Sequence, residues 1–179
     1  MVKLYANKVP HANFIRRLTY LRNAEAFCCL AMPAIFWIQC DHSVEPVNWL
    51  MRWSAMGMVS FVLLQGVLYW HLKARALIGR QPLPAYFQPL YRRFKYANVL
   101  LTVGVAVLIA LGSAEATVED LWFSCVLLSI AILEQINYYH YQLMYDTRAA
   151  IDYVRRNGRL RKAALGLDLE RQKAPAVSA

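Results

Sequence analysis

Glu134 is the side chain best placed to do chemistry in this sequence, because it is a carboxyl inside an apolar run. It lies about thirteen residues into residues 121–139, roughly 20 Å from the start of that run at 1.5 Å per helical residue. An ionisable group at such depth in a membrane is costly and marks a partner, an ion path or a water-filled cavity. Asn137, Tyr138, Tyr141 and Tyr145 follow at i+3, i+4, i+7 and i+11, which puts a polar and aromatic stripe on the same helical face. In a functional reading, Glu134 binds or passes a proton, a cation or a cationic group. In a structural reading it is pinned by Arg16, Arg17 or Arg22, or by tyrosine hydroxyls, and only fixes a bundle. Gln65 and Tyr69 form the matching pair in another apolar run, and Glu25 stands in the first turn of a third, where a helix N-terminus favours an anion.

His71 and His140 form a second constellation. Each ends an apolar run behind a tyrosine and a second aromatic residue. Two neutral imidazoles on facing helices can ligate a haem, so a bis-His, haem b electron-transfer protein is the alternative reading. Small four-span cytochromes of the b type share that architecture, but no motif here resembles theirs beyond span count and basic loops. The plain reading makes both histidines interfacial anchors, with no cofactor. His11 and His42 fall on opposite sides of the first run, which excludes a four-histidine cluster. Cys28, Cys29, Cys40 and Cys125 show no C-x-x-C pair or other metal-ligand spacing, so no metal site is expected. A disulfide between Cys40 and Cys125 would need an oxidising side of the membrane and Cα atoms closer than about 7 Å. G-x-S-x-G, P-loop, G-x-G-x-x-G and H-E-x-x-H patterns are all missing, so the chain leans away from enzymes.

These residues must be held by four apolar stretches, residues 24–40, 53–71, 97–114 and 121–139. Each is close to the roughly 20 residues that cross a hydrocarbon core of about 30 Å. With 59% hydrophobic residues and a mean hydropathy of +0.30, the chain is too apolar for an ordinary soluble domain. Of its 20 Lys and Arg residues, only Arg52 falls outside the N-terminal segment, the loop between the second and third stretches, and the C-terminal tail. The other two loops carry Asp41, Glu45, Glu115, Glu119 and Asp120 instead. The positive-inside rule then puts both termini in the cytoplasm, and the expected location is a bacterial inner (plasma) membrane. The net charge of +9 follows from those basic loops. Its expected partner is the anionic headgroup layer at the cytoplasmic face, not nucleic acid. The first stretch starts too late for a cleavable signal peptide, and no A-x-A-like site follows it.

The chain reads as a duplicated helical hairpin. Residues 53–71 align without a gap on residues 122–140, matching Trp53 with Trp122, Ser60 with Ser129, Gln65 with Glu134, Tyr69 with Tyr138 and His71 with His140. Upstream, residues 14–20 resemble residues 90–96, each with two consecutive arginines among aromatic and aliphatic residues. A parallel repeat would give a pseudo-two-fold bundle of four transmembrane helices. The implied organisation is a first hairpin over residues 1–72, a basic linker over 73–89, a second hairpin over 90–158 and a basic tail over 159–179. Residues 11–22 and 86–96 suit short interfacial elbow helices, with Pro89 in the first turn of the second. Pro33 is expected to kink the first span. Ala106, Ala110 and Ala114, with Gly104 nearby, form a small-residue stripe for close helix approach. The fourth helix is expected to run on through residue 156 and stop at Asn157 and Gly158. A short basic helix over residues 159–169 and a frayed end at 173–179 complete the reading.

The functional expectation is a small, non-enzymatic inner-membrane protein. It either passes a small solute or ion, or docks and regulates a membrane partner, which includes a second copy of itself.

Overall fold

The computed structural model describes residues 8–43, 46–145 and 148–171. Lys3, Glu45 and the tail at 173–179 lie outside the described residues. Among the described residues the chain is all helical, with six helices and no strand. They are α1 (Lys8–Asp41), α2 (Trp49–Gly79), α3 (Phe87–Gly112), α4 (Val118–Tyr139), α5 (Arg148–Asn157) and α6 (Ala164–Arg171). Four of them are long and apolar enough to cross a membrane, over Asn13–Asp41, Trp49–Gly79, Phe87–Gly112 and Val118–Tyr139. The chain is therefore consistent with an integral membrane protein.

Helix α1 is one unbroken element of 34 residues, about 50 Å long. The separate elbow expected over residues 11–22 is instead the first third of this helix. Residues 11–32 contain neither Gly nor Pro, so nothing in the backbone halts the i→i−4 ladder before Pro33. Pro33 sits inside α1, which continues through it. The second elbow merges with its span in the same way. Helix α3 opens at Phe87, whose N–H donates to the Pro84 carbonyl at 2.9 Å, and Pro89 takes a first-turn position that needs no intrahelical donor. At the far end α3 stops at Gly112, so Ala114 leaves the small-residue stripe and stands in the following turn.

The chain divides into two compact units. The first comprises Met1–His42 and Leu63–Phe87, and the second Ser43–Val62 and Gln88–Ala179. The division passes through α2 at Leu63, so these units are not the two hairpins of the sequence alignment. In the first unit the buried side chains include Leu18, Phe36, Tyr69, Leu72 and Phe87, with the Tyr69 ring tilted against Trp70 at 4.7 Å and Phe87 at 6.2 Å. In the second, Phe94 meets Phe61 and Tyr91 edge-on at 5.8 and 5.6 Å. Met51, Ala55, Leu127 and Ala131 are buried in the same unit.

The fourth span ends earlier than its sequence suggests. Helix α4 closes at Tyr139, where the Ile136 carbonyl accepts from both His140 N–H and Tyr141 N–H at 2.9 Å. Two competing sets of hydrogen bonds stop it. Asn137 Oδ1 takes the Leu143 N–H at 2.9 Å, a side-chain substitute for the helical ladder. Residues 140–142 then pair with residues 161–163. Gln142 N–H donates to the Arg161 carbonyl at 2.8 Å, Ala163 N–H donates to the His140 carbonyl at 3.1 Å, and Tyr141 faces Lys162 in an isolated antiparallel bridge. Because residues 161–163 are extended in this pairing, the last helix begins at Ala164 instead of 159. Helix α5 ends at Asn157, and Gly158 caps it at φ +60° with its N–H on the Val154 carbonyl at 2.8 Å. A left-handed cap of this kind favours glycine.

Candidate functional site

Three groups within the candidate spans are built on the carboxylates Asp120, Glu25 and Glu134. The first involves the one arginine that breaks the charge asymmetry. Arg52 and Asp120 are 3% and 1% exposed, and Arg52 Nε donates to Asp120 Oδ1 at 2.5 Å. The same oxygen accepts the Asn48 N–H at 3.1 Å, while Asp120 Oδ2 accepts the Thr117 N–H at 3.1 Å. Thr117 Oγ1 in turn accepts the Asp120 N–H at 3.1 Å, a reciprocal capping box that starts α4. Asn48 does the same service for α2, its Oδ1 accepting the Met51 N–H at 3.1 Å. One carboxylate thus serves two helix starts and one guanidinium, at a helix N-terminus that itself favours negative charge. The guanidinium also lies over the Phe123 ring, 5.0 Å from its centroid, and 3.9 Å from the exposed Glu119 carboxylate. One turn deeper, Ser124 is fully buried.

Sequence reasoning misses this group, because Arg52 stands there as an exception and Asp120 as a loop acid. Two signals point to it. Thr117-Val118-Glu119-Asp120 fits the S/T-x-x-D/E pattern of a helix start, and a lone arginine next to an apolar run requires an acid at the same end of the bundle.

The second group lies in the first unit. Trp70 Nε1–H donates to Glu25 Oε1 at 2.7 Å, and an Arg22 terminal nitrogen stands 3.5 Å from His71 Nδ1. Glu25, expected at a helix start, is instead well inside α1. An arginine donor at Nδ1 favours the tautomer with its proton on Nε2, which is opposite to the arrangement usual for an Nε2 metal ligand. Lys73 Nζ donates to the hydroxyl of buried Tyr69 at 2.8 Å. Gln65 is buried in the same unit.

The third group contains Glu134. Its hydrogen-bond partner is Asn137, whose Nδ2 donates to Glu134 Oε2 at 3.3 Å. The arginine or tyrosine partner expected from the sequence is replaced by this neighbour one turn away, which reaches the carboxylate without any long-range contact. Asn137 uses its other end on Leu143, so it links the carboxylate to the turn that stops α4. That turn also shortens the expected stripe. Tyr138 remains on the helix and is buried, but Tyr141 and Tyr145 lie beyond it, and the Tyr145 hydroxyl accepts the Arg161 N–H at 3.0 Å. His140 is exposed just past the span. Partial burial of the ring, and then the charge of Lys95, hold it below the ordinary imidazole range.

No disulfide joins the four cysteines; Cys40 is buried and Cys125 exposed. Among the described residues no three His, Cys, Asp or Glu side chains gather as metal ligands. The chemistry these three groups offer is charge pairing and hydrogen bonding. No protein-family model, curated protein or solved structure matches this chain.

Proposed function

We propose that this chain is an integral protein of a bacterial inner membrane, with both termini in the cytoplasm, and that it acts without catalysis as a docking or regulatory subunit for a membrane partner. The observation that carries the reading is the contrast between intramembrane charges that each hold a partner within the chain and apolar faces that hold none among the described residues. Arg52, Glu25 and Glu134 each have a partner close at hand. Large apolar side chains along α1 and α3 stay uncovered, with Leu30 77% and Leu111 80% exposed. On α3 the exposed Gly104, Ala106 and Ala110 would let another helix approach closely, and a Cβ built on Gly104 meets nothing within 4 Å. The charge distribution supports the orientation, since Arg52, its one exception, is neutralised by Asp120. The aligned pairs Tyr69/Tyr138 and Gln65/Glu134 support descent from a duplicated hairpin.

Reporter fusions test the topology. Those at Ser43 and Thr117 are expected to read outside, and those at Arg80 and Arg159 inside. A cytoplasmic signal at Thr117 would sink the four-span arrangement.

A second reading, passage of a small ion, is favoured by the intramembrane carboxylate of Glu134. Glu134→Gln keeps the shape and removes the charge. For a docking protein, the variant is expected to stay folded with a loss of at most about 1 kcal/mol, the worth of one partly exposed hydrogen bond. Proteoliposomes of either form should then conduct no more than empty liposomes. Proton or cation flux in the parent that collapses in the variant would replace docking with transport.

A further inference from the structure

The segment beyond α4 carries an array of charge that docking through apolar faces does not use. Arg155, Arg156, Arg159 and Arg161 are all exposed, and among the described residues none of them is in an ion pair. Lys162 beside them differs, its ammonium closed on Glu170 at 3.0 Å. Arg155 and Arg156 form the last turn of α5. Gly158 reverses the chain, and Arg159 and Arg161 follow it back.

Hydrogen bonds fix one end of this array, Arg161, to the residues that follow the fourth span. The Arg161 carbonyl accepts from Gln142 and its N–H donates to the Tyr145 hydroxyl, while Tyr141 pairs with Lys162. Arg161 is therefore held by residues that lie three and six positions past Tyr139, where α4 ends. Ile151 and Leu160, 52% and 44% exposed, stand among the arginines. Exposed guanidinium groups with no ionic partner among the described residues gain one from a layer of phosphodiesters at that position. Guanidinium groups pair with phosphate oxygens in bidentate fashion, and the apolar neighbours suit the boundary between headgroups and acyl chains.

We infer that Arg155, Arg156, Arg159 and Arg161 bind the anionic phospholipid headgroups of the leaflet at which α4 ends. This rests on the reading that α4 crosses the membrane. The field of an anionic surface fades within about 8 Å at physiological ionic strength, so the tether to the span end is what makes the array effective. Each basic side chain held that close favours anionic over zwitterionic lipid by roughly five-fold.

The test uses the full chain in mixed micelles with phosphatidylglycerol or phosphatidylcholine, and native mass spectrometry to count retained lipid. Phosphatidylglycerol is expected to be retained at least about ten-fold more strongly, and the preference should shrink as salt rises from about 0.05 to 0.5 M. The variant R155Q/R156Q/R159Q/R161Q should lose most of it, with its melting temperature measured alongside. Should that variant misfold, R155Q/R156Q alone, outside the main-chain tether, should still lose at least about five-fold. K162Q should retain the preference, because the Lys162 ammonium is already closed on Glu170. Equal retention of both lipids by the parent chain overturns the inference, as does undiminished preference in the folded tail variants or equal loss in K162Q. Displacement of the lipid by millimolar inorganic phosphate would also overturn it, since the array would then be a free-phosphate site. Carbonate washing of membranes separates the two levels. Release of the parent chain means that the spanning assignment has failed, whereas retention without lipid preference means that only this inference has.

Discussion

Asp120→Ala is expected to be the most destabilising single substitution in the second unit, lowering stability by about 3–5 kcal/mol. The cost has two sources. The greater is Arg52, 3% exposed, which would be left as a buried cation without a counter-charge. Helix α4 would also lose a capping-box member, worth about 1 kcal/mol, and the Asn48 N–H would lose its acceptor. Asp120→Asn keeps a side-chain oxygen for the cap but not the charge, so it should fall between the parent and Asp120→Ala. The double variant R52M/D120A removes the unpaired charge and should recover part of the loss, because an ion pair out of water is easier to replace than to break. Thermal melting in detergent gives the order. If Asp120→Ala melts with the parent chain, or the double variant melts below Asp120→Ala, the buried pair is not what holds the starts of α2 and α4 together.

Gly166→Ala is the second large effect, and a local one. A Cβ at Gly166 would stand 2.7 Å from the Tyr139 carbonyl oxygen and 3.3 Å from its carbon. Both atoms belong to the last residue of α4, so no side-chain rotation relieves the clash. Helix α6 must move away, although Ala163 and Leu165 are each only 1% exposed where it sits. Overpacking of this kind costs about 1–3 kcal/mol, against a gain of at most about 1 kcal/mol in helix propensity. The loss should be confined to the seam between residues 140–142 and 161–163. Amide exchange at Gln142 and Ala163 is expected to speed up about ten-fold, while the amides of α4 before Ile136 hold. Gly104→Ala is the control, since nothing lies within 4 Å of its added methyl, and its exchange should match the parent. Unchanged protection in Gly166→Ala would mean that α6 does not need contact with Tyr139.

The four apolar helices are legible in the sequence because hydropathy is a sum over neighbouring residues. Composition alone settles whether twenty consecutive residues suit hydrocarbon. The helix stop at Asn157-Gly158 is equally local, since glycine acts where it stands, whereas the apolar run that ends at Gly112 in the structure continues to Ala114 in the sequence. The breaks expected at residues 22 and 96 are not, because aromatic and basic residues permit an elbow without requiring one, and no Gly or Pro forces the backbone to turn. What only the tertiary structure decided depends on partners far apart in the chain. Arg52 and Asp120 are separated by 68 residues, and nothing local to either names the other. The end of α4 is settled by residues 161–163, which capture the backbone groups of 140–142 and leave the helix no ladder to continue. Gly166 reads in sequence as a weak helix residue, and its need for a bare backbone arises only where α6 meets the Tyr139 carbonyl. Apolar length is additive along the chain and can be summed from it, whereas a buried charge, a competing hydrogen bond and a steric limit are pairwise and exist only once the second partner has arrived.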